Sequence, residues 1–104
     1  MENFGLSDND IELTKKLLLY IDKFKVDNTI PISEGNNSLY EGFPENKSSI
    51  TVLIETFEKP EYFNLLEING EYKSRVRLNI NGKKAIDFLK ANKNKSIIDF
   101  FRKQ

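Results

Sequence analysis

Apolar positions recur at helical spacing near the start of the chain: Ile11, Leu13, Leu17, Leu18, Tyr20, Ile21 and Phe24. Residues three and four apart share one helix face, so this spacing predicts an amphipathic helix running to about Lys25 with a broad buried side. Ser7 stands where a cap belongs and Asp10 follows three residues on, while Leu6 and Ile11 fill the two staple positions around them. The pattern then breaks. Residues 29–33 read as a short strand, which Pro31 confines to a sheet edge because proline donates no ladder hydrogen bond. Residues 38–41 have the length of one or two helical turns and end at Gly42, a residue suited to a helix C-terminus. Residues 42–46 hold both Gly and Pro and read as a turn.

Ile50, Leu53, Ile54 and Phe57 form the next stripe, at i, i+3, i+4 and i+7. It predicts a helix over 46–59, capped by Asn46 or Ser48 and stopped by Pro60. Val52 raises the strand propensity of this stretch, so a strand is the competing reading. Asn69-Gly70 then sits between two strand-like runs, 62–68 and 71–80. That pair favours a two-residue type I′ turn, because both central positions need positive φ. Such a turn would set Ile68 opposite Glu71 and Phe63 opposite Val76. One face would carry Phe63, Leu65, Tyr72, Val76 and Leu78 to the core. The other would carry Asn64, Leu66, Lys73, Arg75 and Arg77 as a basic strip. Asn79 is the expected cap of a last helix with Ala85, Ile86, Phe88 and Leu89 on its apolar side. After a polar break at 92–95, Ser96 and Asp99 form a small capping box ahead of Ile97, Ile98, Phe100 and Phe101.

The 104 residues fit one domain, 1–104, of α+β class. With 38% hydrophobic residues, 8 Phe and 4 Tyr, the chain has enough apolar material for a compact core. Having neither Cys nor His, it has no disulfide, no zinc site built on those ligands, and no Ser-His or Cys-His nucleophile. No glycine-rich phosphate loop and no nucleophile elbow is present, so catalysis, metals and cofactors are not expected. The first ten residues lack a basic and an apolar leader segment, and the longest apolar run is 17–21. A cytoplasmic protein without membrane association is the expectation.

The order of elements is helix, short strand, short helix, turn, helix, hairpin, helix. Three stretches resemble the winged helix-turn-helix regulators, MarR-like proteins among them. The stretch Ser48-Ser49-Ile50-Thr51-Val52-Leu53-Ile54-Glu55-Thr56-Phe57-Glu58-Lys59 resembles their recognition helix, which small polar residues open and a Leu-Glu-like pair closes. Glu61-Tyr62-Phe63 leads directly into the first wing strand. Arg77-Leu78-Asn79-Ile80-Asn81-Gly82, followed by Ile86 and Leu89, is similar to their Leu-Thr-x-x-Gly exit from wing to helix, with Asn79 where Thr is usual. The resemblance covers roughly residues 7 to 91. Pro60 and Glu61 stand where that family often has Gly, and the segment for its second helix is short.

The resemblance implies a helical core, a two- to three-stranded antiparallel wing and a C-terminal helix. It also implies docking of helix 46–59 in the major groove of double-stranded DNA, with the wing at 62–80 on the backbone. Lys47, Ser48, Ser49 and Thr51 then lie at the entering end of that helix, and Lys73, Arg75 and Arg77 supply phosphate contacts from the wing. A homodimer through the N- and C-terminal helices is implied too, the alternative being that Phe100 and Phe101 pack back within the same domain. Charge points partly elsewhere. The net charge is zero. Residues 33–60 hold five acids against two bases, and residues 83–104 hold seven bases against two acids. DNA readers usually concentrate cations where they touch DNA. The rival reading is therefore a winged-helix module that binds a protein partner, such as a phage-type inhibitor, an antitoxin or an assembly subunit. It would use an exposed apolar patch near Leu66 and Ile68 or Tyr40 and Phe43.

Overall fold

A computed structural model describes residues 3–104. Helix α1 spans Asp8–Phe24, and the Ser7 hydroxyl accepts the Asp10 N–H at 3.1 Å, as its spacing predicts. Leu17, Leu18 and Ile21 are buried along one side of α1. Thr14 is buried with them because its hydroxyl is satisfied by the Asp10 carbonyl at 2.6 Å. Strand β1 is Thr29–Pro31 and helix α2 is Leu39–Gly42, a single turn capped by Ser38. Helix α3 spans Lys47–Thr56, shorter than the expected 46–59. It is a helix despite Val52, because Ile50, Leu53 and Ile54 all enter the core. Asn46 occupies the cap position but makes no side-chain cap bond.

A 3₁₀ turn at Pro60–Tyr62 follows, then Phe63 and Asn64 in the left-handed region, at φ 66° and 50°. The expected strand over 62–68 is therefore cut down to β2, Leu66–Asn69. Strand β3 is Arg75–Leu78, helix α4 is Ile80–Ala91 and helix α5 is Ile97–Arg102. The three strands form an antiparallel sheet in the order β1-β3-β2. Pro31 ends the edge strand β1, where its missing N–H costs nothing.

The hairpin departs most from expectation. Ile68 faces Val76 and Leu66 faces Leu78. The connection is not the Asn69-Gly70 pair but the whole of 70–74. It holds a 3₁₀ turn at Glu71–Lys73, with Gly70, Tyr72 and Lys73 at positive φ. This register turns over β2 alone: Val76 and Leu78 of β3 stay inside and Arg75 and Arg77 outside, as expected, and Leu65 just before β2 stays buried. Leu66 is buried rather than exposed, and Tyr72 is 93% exposed rather than in the core. The reason is packing. In the observed register Leu66, Val76 and Leu78 all point inward with Ile30 of β1. The Asn-Gly turn would have put Leu66 in water and Tyr72 inside. A register slip that flips faces costs more than one local turn preference provides.

Asn79 also behaves differently from a simple cap. Its side chain donates to the Asn64 carbonyl and side-chain oxygen, at 3.2 and 3.0 Å, while Asn81 donates to the Phe63 carbonyl at 2.8 Å. Two asparagines at the start of α4 thus hold the left-handed turn that sets the path into β2. The Ser96–Asp99 capping box forms as expected. Phe100 and Phe101 are buried in the domain's own core, Phe101 stacking on Phe63 at 4.9 Å and meeting Phe4 edge-on at 5.2 Å. Ile97 and Ile98 of α5 are buried there with them.

The free edge of β2 is closed by α3 and its exit. Leu66 N–H donates to the Phe57 carbonyl at 3.1 Å, and Ile68 N–H donates to the Glu58 carboxylate at 2.8 Å. Glu58→Ala should lower stability by about 1 kcal/mol through the unpaired Ile68 N–H, and Glu58→Gln should recover most of it. Urea denaturation checks this. Equal midpoints for the wild type and the alanine variant would mean that water replaces the carboxylate at no cost.

Candidate nucleic-acid interface

The seven residues expected to touch DNA fall into two groups. At the start of α3, Lys47 is exposed with its ammonium 5.8 Å from the centre of the Tyr40 ring. Thr51 is committed locally: its hydroxyl donates to the Lys47 carbonyl at 2.9 Å and lies 2.6 Å from the Tyr40 hydroxyl. Ser48 is exposed and Ser49 half-buried. Both line a hollow with Asp10 and Val52. Ser49 also lines a wider hollow of about 480 Å³ with Asn46, Ser7, Asp10, Glu12 and Lys16. The first turns of α1 therefore set carboxylates beside the hydroxyls expected to meet phosphate. Lys16 offsets only part of this, being 3.3 Å from Glu12.

The second group sits on the hairpin. Arg75 and Arg77 alternate with buried Val76 and Leu78, so they share the outer face of the sheet. Arg75 Nε donates to the Thr29 hydroxyl at 2.7 Å. Arg77 pairs with Glu67 across the strands at 2.5 Å, both side chains nearly half exposed. A pair so exposed contributes less than about 1 kcal/mol and opens easily for a competing anion. Lys73 lies in the 70–74 loop, exposed, with no ion-pair partner among the described residues. The expected basic strip is thus real at Arg75 and Arg77. It excludes buried Leu66, loses Asn64 to the left-handed turn, and gains an acid at Glu67.

The C-terminal lysines are partly occupied at home. Lys90 reaches Asp22 of α1 at 2.7 Å. The Lys90 hydrogen bond, with help from Lys25, holds the Asp22 carboxyl below its ordinary pKa against the opposing effect of burial. Lys103 lies 5.1 Å over the Phe88 ring. Lys83 is different. It lines a hollow of about 530 Å³ with Arg77, Asn64, Leu78, Asn79, Ile80 and Asn81, where the sheet meets α4. Lys83 stands in the first turns of α4, which begins two residues after β3 ends.

The exposed apolar residues are also not the expected ones. Tyr40, Phe43 and Ile68 are half-buried against the core and Leu66 is fully buried. The large apolar side chains in water are Tyr72 at 93%, Ile80 at 72%, Val26 at 65% and Val52 at 60% exposure. Among the described residues, no group of three His, Cys, Asp or Glu side chains is placed to hold a metal ion. No described helix is long and apolar enough to cross a membrane. Comparison with known protein families, with curated proteins and with solved structures finds no match.

Proposed function

We propose that this chain is a winged-helix domain that binds double-stranded DNA with its wing leading, in the service of transcriptional regulation. The sheet order β1-β3-β2, with one helix before β1, two between β1 and β2, and another straight after β3, supports the winged-helix reading. The observation that carries the DNA reading is the wing itself. Lys73, with no ion-pair partner among the described residues, stands in an exposed loop, followed by Arg75 and Arg77 on one outer face. In this reading α3 is the lesser partner. Ser48 and Lys47 reach the backbone, Asp10 and Glu12 limit how closely the helix start approaches it, and Thr51 positions rather than reads.

Lys73→Glu/Arg75→Glu should abolish measurable binding to a mixed-sequence duplex in fluorescence anisotropy at low salt. Asp10→Asn/Glu12→Gln should tighten it several-fold by removing charge repulsion. Unchanged affinity in the wing variant would refute the wing as the contact. A second reading, a module for a protein partner, is favoured by one observation: Val52 is exposed on α3 in a hollow it shares with Asp10. That reading expects no duplex affinity at all, and an effect of Val52→Glu on partner binding without loss of fold.

A further inference from the structure

The tip of the hairpin carries a feature that phosphate binding does not use. Tyr72 is at the middle of the 3₁₀ turn Glu71–Lys73 and is 93% exposed, more than any other large apolar side chain described. The loop is closed by the Lys73 N–H on the Gly70 carbonyl at 3.1 Å, and Gly70 supplies a φ of 84° at its entry. Nothing in the domain covers the ring. Along the chain it is preceded by Glu71 and followed by Lys73 and Arg75, the latter donating from Nε to the Thr29 hydroxyl.

An exposed aromatic ring on a loop that also carries cations suits a nucleic-acid base, whose π-face stacks on tyrosine while the adjacent phosphate meets lysine or arginine. Within an unbroken duplex every base face is already covered. Wedging a ring between two pairs costs a few kcal/mol of unstacking, which minor-groove binders recover by wrapping bent DNA over more protein surface. Here the surface beside α3 is lined by Asp10 and Glu12, and it offers little to such a wrap. At a duplex end or a fork between double and single strands, one base-pair face is already open and nothing need be unstacked.

We infer that the wing tip recognises the open end or fork of a DNA duplex, with Tyr72 stacked on the terminal base pair and Lys73 and Arg75 on the flanking phosphates. This rests on the wing-led DNA binding proposed above. The probe is a fluorescein-labelled forked duplex, competed by a closed circular plasmid or by the same plasmid cut into short fragments, at equal phosphate. The cut DNA should compete about tenfold better per phosphate. Tyr72→Ala should erase that preference while keeping affinity for the circle, and Tyr72→Phe should preserve it. Tyr72 is exposed, so neither variant threatens folding. Equal competition by circle and fragments, or a Tyr72→Ala variant with the wild-type preference, would overturn the inference and leave the wing reading standing. Failure of the wild type to bind any of these DNAs would overturn both.

Discussion

Phe101→Ala is expected to be the most damaging single substitution, at about 3–5 kcal/mol of stability. Phe101 is buried near the end of the chain and its ring meets five others: Phe4, Phe57, Tyr62, Phe63 and Phe100. It therefore ties α5 to the segment before α1, to the end of α3 and to the left-handed turn. A domain of this size is stable by about 5–15 kcal/mol, so the variant should be largely or wholly unfolded in mild urea. Phe101→Leu should cost about 1–2 kcal/mol, since most of the apolar volume returns. The urea midpoints of the three proteins test this. A loss below about 1 kcal/mol for the alanine variant would mean that α5 is not part of this core.

Gly82→Ala should destabilise the fold by about 2 kcal/mol, opposite in sign to the usual effect of this change in a helix. In an open helix the alanine would gain about 1 kcal/mol. Here an added Cβ would stand 2.2 Å from the Leu65 carbonyl oxygen and 3.1 Å from a Leu78 methyl. That carbonyl cannot retreat, because it accepts the Asn79 N–H at 2.9 Å. The start of α4 must therefore lift from the turn, loosening the Asn81 bond to Phe63 as well. Overpacking of this kind costs about 1–3 kcal/mol and outweighs the helix gain. An unchanged or raised urea midpoint would show that α4 does not sit this close to the strand.

Gly82 also shows how much of the fold the sequence carried. It belongs to the exit pattern that resembles winged-helix regulators, and its place in the structure gives that pattern a physical cause: close approach of helix to backbone. The helices were legible wherever a stripe and a cap agreed, as with Ser7 and Leu17–Leu18–Ile21 in α1, or Ser96 and Asp99 in α5. The short strand was legible in residues 29–33, and Pro31 set it at a sheet edge. The hairpin register was not legible, because Asn69-Gly70 is a strong local signal and the competing term is long-range burial of Leu66, Val76 and Leu78 with Ile30. The site suffered from the same slip. Arg75 and Arg77 kept their outer face because they alternate with buried residues in β3. Tyr72 moved from an expected core position to the exposed tip. The carboxylates beside Ser48 and Ser49 come from α1, about forty residues away in the chain, and only packing of α1 on α3 brings them there.

The salt dependence of duplex binding by the wild type tests wing-led DNA binding most directly. Each phosphate neutralised contributes about −0.9 to the slope of log affinity against log salt, so contacts from Lys73, Arg75 and Arg77 predict a slope of roughly −2 to −3. Binding that weakens with that slope agrees with a compact contact made by the wing. A slope near zero, or no binding to duplex at low salt, would contradict it and leave the domain as a module for a protein partner.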